Sequence, residues 1–382
     1  MHKVFLLLLI LLFPILAIFY KPYIGSIPEQ SITKDSVITI RIAVTGDLMC
    51  HTPQIKTSTV WRDSFDFSPS FKYIKPFLQG ADFTIGNLET ITAGKGKQYS
   101  GYPLFNSPDQ YIRDVKNAGF SFVTTSNNHA LDRGEAGIRR TIEELVKSNL
   151  NYTGTFTSQR DRDSIRIYDI KGIKTAILSY SYGTNGNPLP RGKKYLINLI
   201  DENLIGEDIV KARKSGAELV VVYYHFGHEY KREPVDSQIE LVNKTKQLGA
   251  DIILGGHPHV VEPMEYFKTI NAKLDTGFVI YSLGNFISAQ RWRYSDAGVI
   301  LYLNISKNMR NDSLRISSIE YIPTSVYKGP TENGNHYSIL PARDFNKYSF
   351  LKEPDIIKIK QSLEDIHVQQ NKGILHTSHF RG

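Results

Sequence analysis

The chain has 382 residues, of which 41% are hydrophobic, and this apolar content excludes a disordered polypeptide. It is sufficient for one large α/β domain or for two smaller ones. The formal net charge of +8 is spread along the sequence and suggests an anionic neighbourhood, but no basic patch interleaved with aromatic residues predicts a nucleic-acid partner.

The N-terminus is strongly apolar. An unbroken apolar run extends from Val4 to Tyr20 after Lys3, and no clear A-x-A cleavage site follows it. The run is longer than a usual signal-peptide core and short for a spanning helix. We predict that residues 1–20 form an uncleaved membrane anchor, with a cleaved signal segment as the alternative, and that residues 21–36 are a linker. The folded domain would then be extracytoplasmic, held at the cell membrane by a single-pass anchor or secreted after cleavage.

From residue 37 onward, apolar strands alternate with helices. The predicted strands cover residues 37–44, 81–85, 120–125, 165–170, 175–180, 218–224, 252–254 and 278–283, and the predicted helices cover 71–78, 109–118, 134–148, 202–214 and 236–248. The strands at 298–305 and 314–322 follow each other without a helix, so the sheet should finish with antiparallel strands. We predict one domain over residues 37–323 and a C-terminal extension over 324–382, with one helix at 354–366.

The strand at residues 252–254 leads to two histidines. Gly255 and Gly256 follow it and are expected to turn the chain tightly, and His257 and His259 come next on either side of Pro258. In an extended segment residues i and i+2 point the same way, so both rings would face one point. Taken alone, such a pair is a surface loop about as often as it is a metal site.

Polar side chains follow four other predicted strands. These strand ends carry carboxylate, amide and imidazole groups: Asp47 and His51; Asn87 and Glu89; Asn128, His129 and Asp132; and His225. Together with His228, which lies three residues after His225, six of the 11 histidines fall in these short motifs, whereas solvated surface histidines would be scattered. Oxygen and imidazole ligands without a thiolate cluster suit Mn, Fe or Zn. The set is large enough for two divalent metal ions, an arrangement that serves phosphoryl transfer.

Six ordered motifs carry a resemblance to a known family. GDLMCH, GNLET, SNNHALDRG, HFGHEY, GGHPHVVEP and YSLGNF lie between about residues 40 and 290, and with them the chain resembles the CapA family of bacterial capsule-synthesis proteins. The resemblance implies a role in synthesis or export of poly-γ-glutamate. Its implied partners are an anionic envelope polymer or a phosphate-containing substrate, and other capsule-synthesis membrane proteins. The implied fold is similar to that of calcineurin-like metallophosphoesterases: an α/β (α+β) four-layer αββα sandwich, in which helices flank two mixed sheets.

The resemblance also implies roles for the motif residues. His129 would be the general acid for the leaving group, and Asp132 would orient it. Glu229, Ser282 and Asn285 occupy motif positions in which a contact to ligands or substrate and a packing role are equally open. The implied metal ligands are Asp47, His51 and His259 for one ion, Asn128, His225 and His257 for the other, and Glu89 as the bridge between them.

This sequence departs from the metallophosphoesterase pattern in its first two motifs. Asp47 and His51 are four positions apart rather than two, and Glu89 stands where that superfamily has Asp. In the third motif Asn127, rather than Gly, precedes Asn128. These differences bear on the metal geometry, and His51 in particular could lie outside the site.

Three functions are compatible with these motifs. The first is a dinuclear metallohydrolase that acts on a phosphate ester or related bond in the cell envelope. The second is a membrane-anchored component of polymer assembly or export, whose metal site is structural or binds the polymer. A scavenging enzyme similar to 5′-nucleotidases ranks third, because only about 60 residues follow the last predicted strand, too few for a separate nucleoside-binding domain.

Overall fold

The computed structural model describes residues 37–375 of the chain. Its strands are β1 (Val37–Leu48), β2 (Thr59–Trp61), β3 (Ser64–Phe65), β4 (Phe83–Leu88), β5 (Phe122–Thr124), β6 (Asn151–Thr153), β7 (Ile167–Ile170), β8 (Ile173–Ser181), β9 (Leu219–His225), β10 (Ile252–Gly256), β11 (Met264–Lys268), β12 (Thr276–Ile280), β13 (Asn285–Ile287), β14 (Ala297–Asn308), β15 (Leu314–Thr331) and β16 (Gly334–Pro341). Its helices are α1 (Thr52–Thr57), α2 (Ser68–Phe71), α3 (Lys75–Gln79), α4 (Asp109–Ala118), α5 (Gly134–Lys147), α6 (Gln159–Asp163), α7 (Glu202–Lys214), α8 (Asp236–Leu248) and α9 (Glu353–Leu375), with short 3-10 helices at Lys194–Leu196 and Ala342–Lys347.

The predicted anchor at residues 1–20 and the predicted linker at 21–36 lie outside the described residues. Among residues 37–375, no helix combines the length and the apolar composition that crossing a bilayer requires.

Most strands belong to two mixed sheets. The first sheet has the order β16-β15-β14-β1-β4-β5-β6, with β13 pairing to β1, and the second has the order β11-β12-β10-β9-β8-β7. Strands β1, β4, β5 and β6 run parallel, as do β8, β9, β10 and β12. A parallel pair needs a crossover connection, which the intervening segments supply. By contrast, β14 and β15 follow each other directly and pair antiparallel, as the sequence predicted, and β16, which was not among the predicted strands, pairs antiparallel with β15.

The sheets pack face to face, and helices cover both outer faces. Along β1, Ile42 and Val44 point into the core between the sheets, whereas Ala43 points into the core beneath α4 and α5. This alternation is the period of two that a strand imposes. The outer face of the second sheet packs against α7 and α8 through residues that include Val220, Val222, Ile209 and Val242. The chain is therefore an αββα sandwich of four layers, which confirms the predicted fold class.

The chain beyond residue 323 continues the first sheet. The sequence placed the end of the domain at residue 323, but β15 crosses this position and its antiparallel pairing with β16 covers residues 324–331. The predicted boundary therefore falls inside a strand, and residues 324–341 are part of the sandwich. The predicted helix at 354–366 is the first part of α9, which extends over Glu353–Leu375.

Helix α9 connects three segments near one end of the sandwich. The Arg232 guanidinium donates a hydrogen bond to the carbonyl oxygen of Asp365 at 2.6 Å. Arg293 forms an ion pair with the Asp365 carboxylate at 3.2 Å. Gln370 Nε2 donates to the carbonyl oxygen of Glu262 at 3.2 Å. The helix thus holds the loop after β9, the loop before β14 and the segment that follows the histidine pair.

Glu262 is a buried carboxyl group at this junction. One of its oxygens accepts a hydrogen bond from Gln238 Nε2 at 2.9 Å, and the other has no hydrogen-bonding partner among residues 37–375. Burial raises the pKa of Glu262 from 4.5 to about 8, against the opposing effect of the bond from Gln238. The folded state therefore keeps a proton that the unfolded chain releases, so the free energy of unfolding falls as the pH rises from about 4.5 to about 8.

We expect Glu262→Gln to remove this pH dependence. At pH 8 the variant should be more stable than the wild type by at most about 5 kcal/mol, because glutamine has no proton to retain. Urea unfolding of both proteins at pH 5 and pH 8 measures the difference. Glu240→Gln, an exposed change on α8, should leave the wild-type pH slope intact. Equal slopes for wild type and Glu262→Gln would contradict this account of Glu262.

Candidate metal centre

The predicted site residues lie where strands of the two sheets end. In the first sheet Asp47 of β1 is in register with Asn87 of β4, and Asn87 with Thr124 of β5. In the second sheet His225, the last residue of β9, is in register with Gly256, the last residue of β10. Parallel strands end on the same side of a sheet, so their terminal side chains share one edge. Side chains from both of these edges meet in the site.

His257 and His259 converge through a turn. Both have a left-handed backbone conformation, with φ of 96° and 60°, and their ring centroids lie 5.8 Å apart. The sequence predicted that the rings would converge. It attributed this convergence to an extended segment, and that part of the prediction is wrong. Such a conformation costs on the order of 1–3 kcal/mol at a non-glycine residue, and residues of this kind cluster at functional sites.

Gly255 and Gly256 lie within β10, and neighbouring atoms leave no room for a side chain at either position. Neither has a positive φ, so the tight turn predicted at these glycines is wrong. A β-carbon at Gly255 would overlap the carbonyl oxygen of Tyr281, and one at Gly256 would lie 2.5 Å from the Tyr223 hydroxyl oxygen and 2.6 Å from Asp47 Oδ1. The missing side chain at Gly256 therefore leaves room for the carboxylate of Asp47.

We expect Gly256→Ala to displace the Asp47 carboxylate. The added methyl group should destabilise the protein by on the order of 1–3 kcal/mol and lower its affinity for Mn²⁺. Thermal unfolding and calorimetric titration with Mn²⁺ measure the two effects. Gly96→Ala is the control, because a β-carbon at Gly96 meets no atom within 4 Å. Wild-type Mn²⁺ affinity in Gly256→Ala would show that binding does not depend on this placement of Asp47.

Three overlapping groups of side chains, together called the histidine–carboxylate cluster, bring their ligand atoms together. Glu89 is common to two groups, and its Oε1 lies 3.6 Å from His225 Nε2 and 3.9 Å from His259 Nε2. The carboxylate of Glu89 thus lies between histidines that follow two different strands. Within each group the ligand atoms lie within 4.8 Å of one another, and the groups are Glu89, His225 and His257; Asp47, Glu89 and His259; and Glu229, His257 and His259.

Glu89 is buried without the partners that a buried carboxylate needs. Its side chain is 0% exposed, and neither carboxylate oxygen has a hydrogen-bonding partner in the described part of the chain. The Nδ1 atom of His257, which is also buried, lacks a partner in the same way. Unpaired buried polar groups are unfavourable and rare. A divalent cation would satisfy both groups, and the oxygen and imidazole donors present are ligands that Mn, Fe and Zn accept.

The protonation states of the cluster follow from its burial. Burial and the nearby Asp47 carboxylate raise the pKa of Glu89 well above its ordinary value. Burial and the neighbouring His259 lower the pKa of His257 to about 3, and burial and His257 lower the pKa of His225 well below 6.5. His225 and His257 are therefore neutral at physiological pH, and neutral imidazole is the form that binds metal ions.

Two asparagine side chains hold the cluster in place. Asn87 Nδ2 donates to Asp47 Oδ1 at 2.8 Å and lies 3.2 Å from His225 Nδ1. Asn285 Oδ1 lies 3.0 Å from His259 Nδ1. The Asn285 contact engages Nδ1 of His259 and leaves Nε2 directed towards Glu89, as supporting groups of metal-binding histidines do, whereas Asn87 acts as a donor and positions the Asp47 carboxylate. Neither asparagine was among the predicted ligands, although the strand register of Asn87 with Asp47 was a signal for its position.

The remaining predicted ligands differ in their placement. Asn128 Oδ1 lies 2.9 Å from His225 Nε2, so its oxygen reaches the cluster. His51 belongs to none of the three groups formed by the described residues. Its Nδ1 lies 3.2 Å from Gln54 Oε1 and 3.3 Å from the backbone nitrogen of Ala289. The structure therefore places Asn128 at the cluster, whereas His51 contacts Gln54 and Ala289 instead.

His129 and Asp132 form a buried histidine–carboxylate pair directly after Asn128. His129 Nδ1 lies 2.8 Å from Asp132 Oδ2, which also accepts a hydrogen bond from the backbone nitrogen of Phe105 at 2.8 Å. The Phe105 ring packs edge-on against the imidazole, with centroids 4.6 Å apart. These contacts fix the orientation of His129 and leave Nε2 as the ring nitrogen for proton transfer, which is the geometry that a general acid needs.

The chain matches one protein family over most of the sandwich. The model of the family described as "Bacterial capsule synthesis protein PGA_cap" matches residues 41–290. The capsule biosynthesis protein CapA of Bacillus anthracis is 27% identical over 267 residues, which cover 68% of this chain and 62% of the relative. The PGA biosynthesis protein CapA of Bacillus subtilis (strain 168) is 31% identical over 242 residues, which cover 62% and 61%. The chain thus spans about three fifths of the length of these curated relatives.

Solved structures with distant sequences are also similar to the chain. The NAD nucleotidase (NadN) of Haemophilus influenzae has a TM-score of 0.47 at 14% identity, with 86% of this chain and 63% of that chain covered. The calcineurin-like phosphoesterase YfkN of Bacillus subtilis has a TM-score of 0.45 at 13% identity, with 86% and 98% covered. Similarity at this level does not bear on the chemistry of the cluster.

Proposed function

Because the chain belongs to the bacterial capsule synthesis protein PGA_cap family, we propose that it acts in the synthesis or export of a capsule polymer, and that its histidine–carboxylate cluster binds two divalent metal ions. The name of the Bacillus subtilis relative supports poly-γ-glutamate as the polymer. The observation that carries the metal proposal is Glu89, whose buried carboxylate lies between His225 and His259 with no hydrogen-bonding partner among the described residues.

In the proposed centre, Glu89 lies between two sets of ligands. His51 contacts Gln54 and Ala289 through Nδ1, so Nε2 is the ring nitrogen with which it would bind an ion. When bound, the ions, which would be Mn, Fe or Zn, supply Lewis acidity towards an oxygen of a phosphoryl or related group. The proposed ligands are Asp47, His51 and His259 for one ion, and Asn128, His225 and His257 for the other.

The other residues of the site would act on the proton and on orientation. His129 would donate a proton from Nε2 to the leaving oxygen, and Asp132 would hold the ring through Nδ1. Asn285 would keep the imidazole of His259 turned towards the centre, and Asn87 would hold the Asp47 carboxylate in place. These roles together describe a site of the metallophosphatase type.

Capsule formation in the organism that carries this gene tests the proposal. Deletion of the gene should abolish the capsule and the wild-type gene should restore it, whereas His257→Ala should not. His129→Gln then separates two roles of the metal. If His129→Gln also fails to restore the capsule, the function is hydrolytic. If it restores the capsule, the metal site is structural or binds the polymer. A complete capsule with a His257→Ala protein that contains no metal would show that capsule formation does not depend on the metal, and an unchanged metal content in His257→Ala would contradict the ligand role of His257.

The proposed location is the outer side of the cell membrane. It rests on the apolar run at residues 1–20 and on the positive net charge, which suits an anionic polymer or lipid surface. Membrane fractions of cells that express the chain with and without these residues test it. Equal recovery of both proteins from the soluble fraction would contradict an anchor.

A second candidate function is a metal-dependent phosphoesterase whose envelope substrate is unrelated to the capsule. The observation that favours it is the pair formed by His129 and Asp132, since a purely structural metal site has no need of a positioned proton donor. The purified protein with Mn²⁺ should then hydrolyse a generic aryl phosphate, while deletion of the gene leaves the capsule intact. Absence of hydrolysis with Mn²⁺, Fe²⁺ and Zn²⁺ would contradict this candidate.

A further inference from the structure

Glu229 is an exposed carboxylate at the solvent side of the cluster. A carboxylate oxygen of Glu229 and ring nitrogens of His257 and His259 all lie within 4.8 Å of one another. Glu229 follows β9, whereas both histidines follow β10. It was absent from the predicted ligand set, because the motif HFGHEY gives no indication of which of its side chains turns inward.

The backbone fixes the position of Glu229. The nitrogen of Phe226 donates to the carbonyl oxygen of Gly256 at 3.1 Å, and the nitrogen of Tyr230 donates to the carbonyl oxygen of Pro258 at 2.8 Å. These bonds tie the loop to the histidine turn on both sides of Glu229. Tyr230 has a φ of 64°, a left-handed conformation, and its ring centroid lies 6.1 Å from that of His259. Main-chain hydrogen bonds therefore hold the backbone of Glu229 beside the histidines. Its position near them does not depend on its side-chain conformation alone.

Gly227 permits this course of the loop. Its φ is 96°, and a β-carbon there would lie 2.6 Å from the side chain of Gln238. A residue with a side chain would thus be strained in its backbone and would collide with Gln238. Gln238 is itself anchored, because its Oε1 accepts a hydrogen bond from the nitrogen of Val235 at 3.0 Å. The loop conformation that presents Glu229 is consequently specified by the residues around it.

Within the described part of the chain, no lysine or arginine forms an ion pair with Glu229. The carboxylates of Asp47 and Glu89 belong to the same cluster. A cation bound beside His257 and His259 would also be attracted to the Glu229 carboxylate. The position of Glu229 beside two imidazoles is one at which a metal ion would meet a carboxylate oxygen.

We propose that Glu229 is a further metal ligand, which binds the ion held by His257 or His259 from the solvent side. The inference rests on the proposed metal centre and adds a third carboxylate to it. A third carboxylate lowers the net positive charge of the centre and occupies a coordination position that faces solvent. Both effects weaken the binding of a doubly charged phosphate group, so Glu229 also sets which anionic substrates the centre accepts.

Titration of the full-length protein with Mn²⁺ tests the inference. Glu229→Gln should lower the affinity for one Mn²⁺ ion by about tenfold or more, and Glu229→Asp should fall between this variant and the wild type. Glu143→Gln changes an exposed carboxylate on α5 that belongs to none of the three groups of ligand atoms, and this variant should bind Mn²⁺ as the wild type does. Circular dichroism checks that each variant is folded, which is expected because Glu229 is exposed.

Inorganic phosphate provides a second measurement. At saturating Mn²⁺, Glu229→Gln should bind phosphate several-fold more tightly than the wild type, since a negative charge and a competing ligand are both removed. A purely structural role of Glu229 would not produce this opposite change. Wild-type affinity for Mn²⁺ in Glu229→Gln, with loss of binding in His257→Ala, would overturn the inference and leave the metal centre standing. Absence of Mn²⁺ binding by the wild type would overturn both.

Discussion

Glu89→Gln is expected to lower Mn²⁺ affinity by at least about 100-fold and to stabilise the metal-free protein. With metal bound, the carboxylate serves two groups of ligand atoms, so its loss weakens both. Without metal, the same carboxyl group is fully buried and has no hydrogen-bonding partner among residues 37–375. Glutamine has no charge to bury, and so removes this unfavourable contribution. Calorimetric titration with Mn²⁺ and urea unfolding with a chelator measure the two effects.

The gain in stability should depend on pH in a defined direction. Burial raises the pKa of Glu89 in the folded state well above the ordinary value of 4.5. Below pH 4.5 the group is protonated in both the folded and the unfolded state, so wild type and variant should show no pH-dependent difference. Above this pH the unfolded chain releases the proton and the folded chain retains it, so the metal-free wild type loses stability relative to Glu89→Gln as the pH rises.

Glu144 provides the matched control for Glu89. Its side chain is also buried, but its oxygens lie 3.1 Å from Arg113 and 3.5 Å from Arg140. Glu144→Gln should therefore destabilise the protein and leave Mn²⁺ affinity unchanged. Wild-type Mn²⁺ affinity in Glu89→Gln would contradict the metal centre. A metal-free Glu89→Gln protein that is less stable than the wild type at pH 8 would contradict the description of Glu89 as unpaired.

The approximate location of the site could be predicted because its motifs directly follow apolar runs. Asp47, Asn87 and His225 lie at the ends of β1, β4 and β9, and each of these strands is recognisable from its own sequence. Parallel strands separated by helices end at one edge of a sheet, so the position of each motif in the chain already implies its position in the fold. The four-layer fold itself came from the resemblance, since no local pattern specifies how two sheets pack.

The features that could not be predicted depend on contacts between distant segments. Gly256 is required by the Asp47 carboxylate of the other sheet, and no property of the sequence GGHPH reveals this neighbour. The left-handed conformations of His257 and His259 likewise belong to the assembled turn. Glu229 reaches the cluster because its loop bonds to Gly256 and Pro258. In each case the deciding contact joins residues whose separation in sequence is too large for local patterns to record.

The end of the domain was misplaced for a similar reason. Residue 323 is a proline, and proline does not donate to a strand ladder. In the structure Pro323 is paired with Val299 within β15, and the strand continues to Thr331. The pairing of residues 324–331 with β16 sustains the strand past this position, and that partner is a later segment which a local pattern does not include.

His129→Gln is expected to lower kcat for an alkyl phosphate by about 10²- to 10⁴-fold, the usual contribution of general acid catalysis. An alkoxide leaves readily only if it receives a proton, and His129 Nε2 is the proposed donor. Glutamine keeps a polar side chain in this buried position but transfers no proton. Metal content measured by elemental analysis should stay at the wild-type level, since His129 belongs to none of the three groups of ligand atoms.

The leaving group decides whether this loss reflects proton donation. A nitrophenolate departs without a proton, so His129→Gln should lose much less activity on a nitrophenyl phosphate than on an alkyl phosphate. Asp132→Asn keeps the shape of the residue but weakens its hold on His129 Nδ1, which lies 2.8 Å from Asp132 Oδ2. It should produce the same dependence on the leaving group with a smaller loss. Equal losses on both substrates would contradict the role of His129, because a misplaced metal or a distorted pocket affects every leaving group alike.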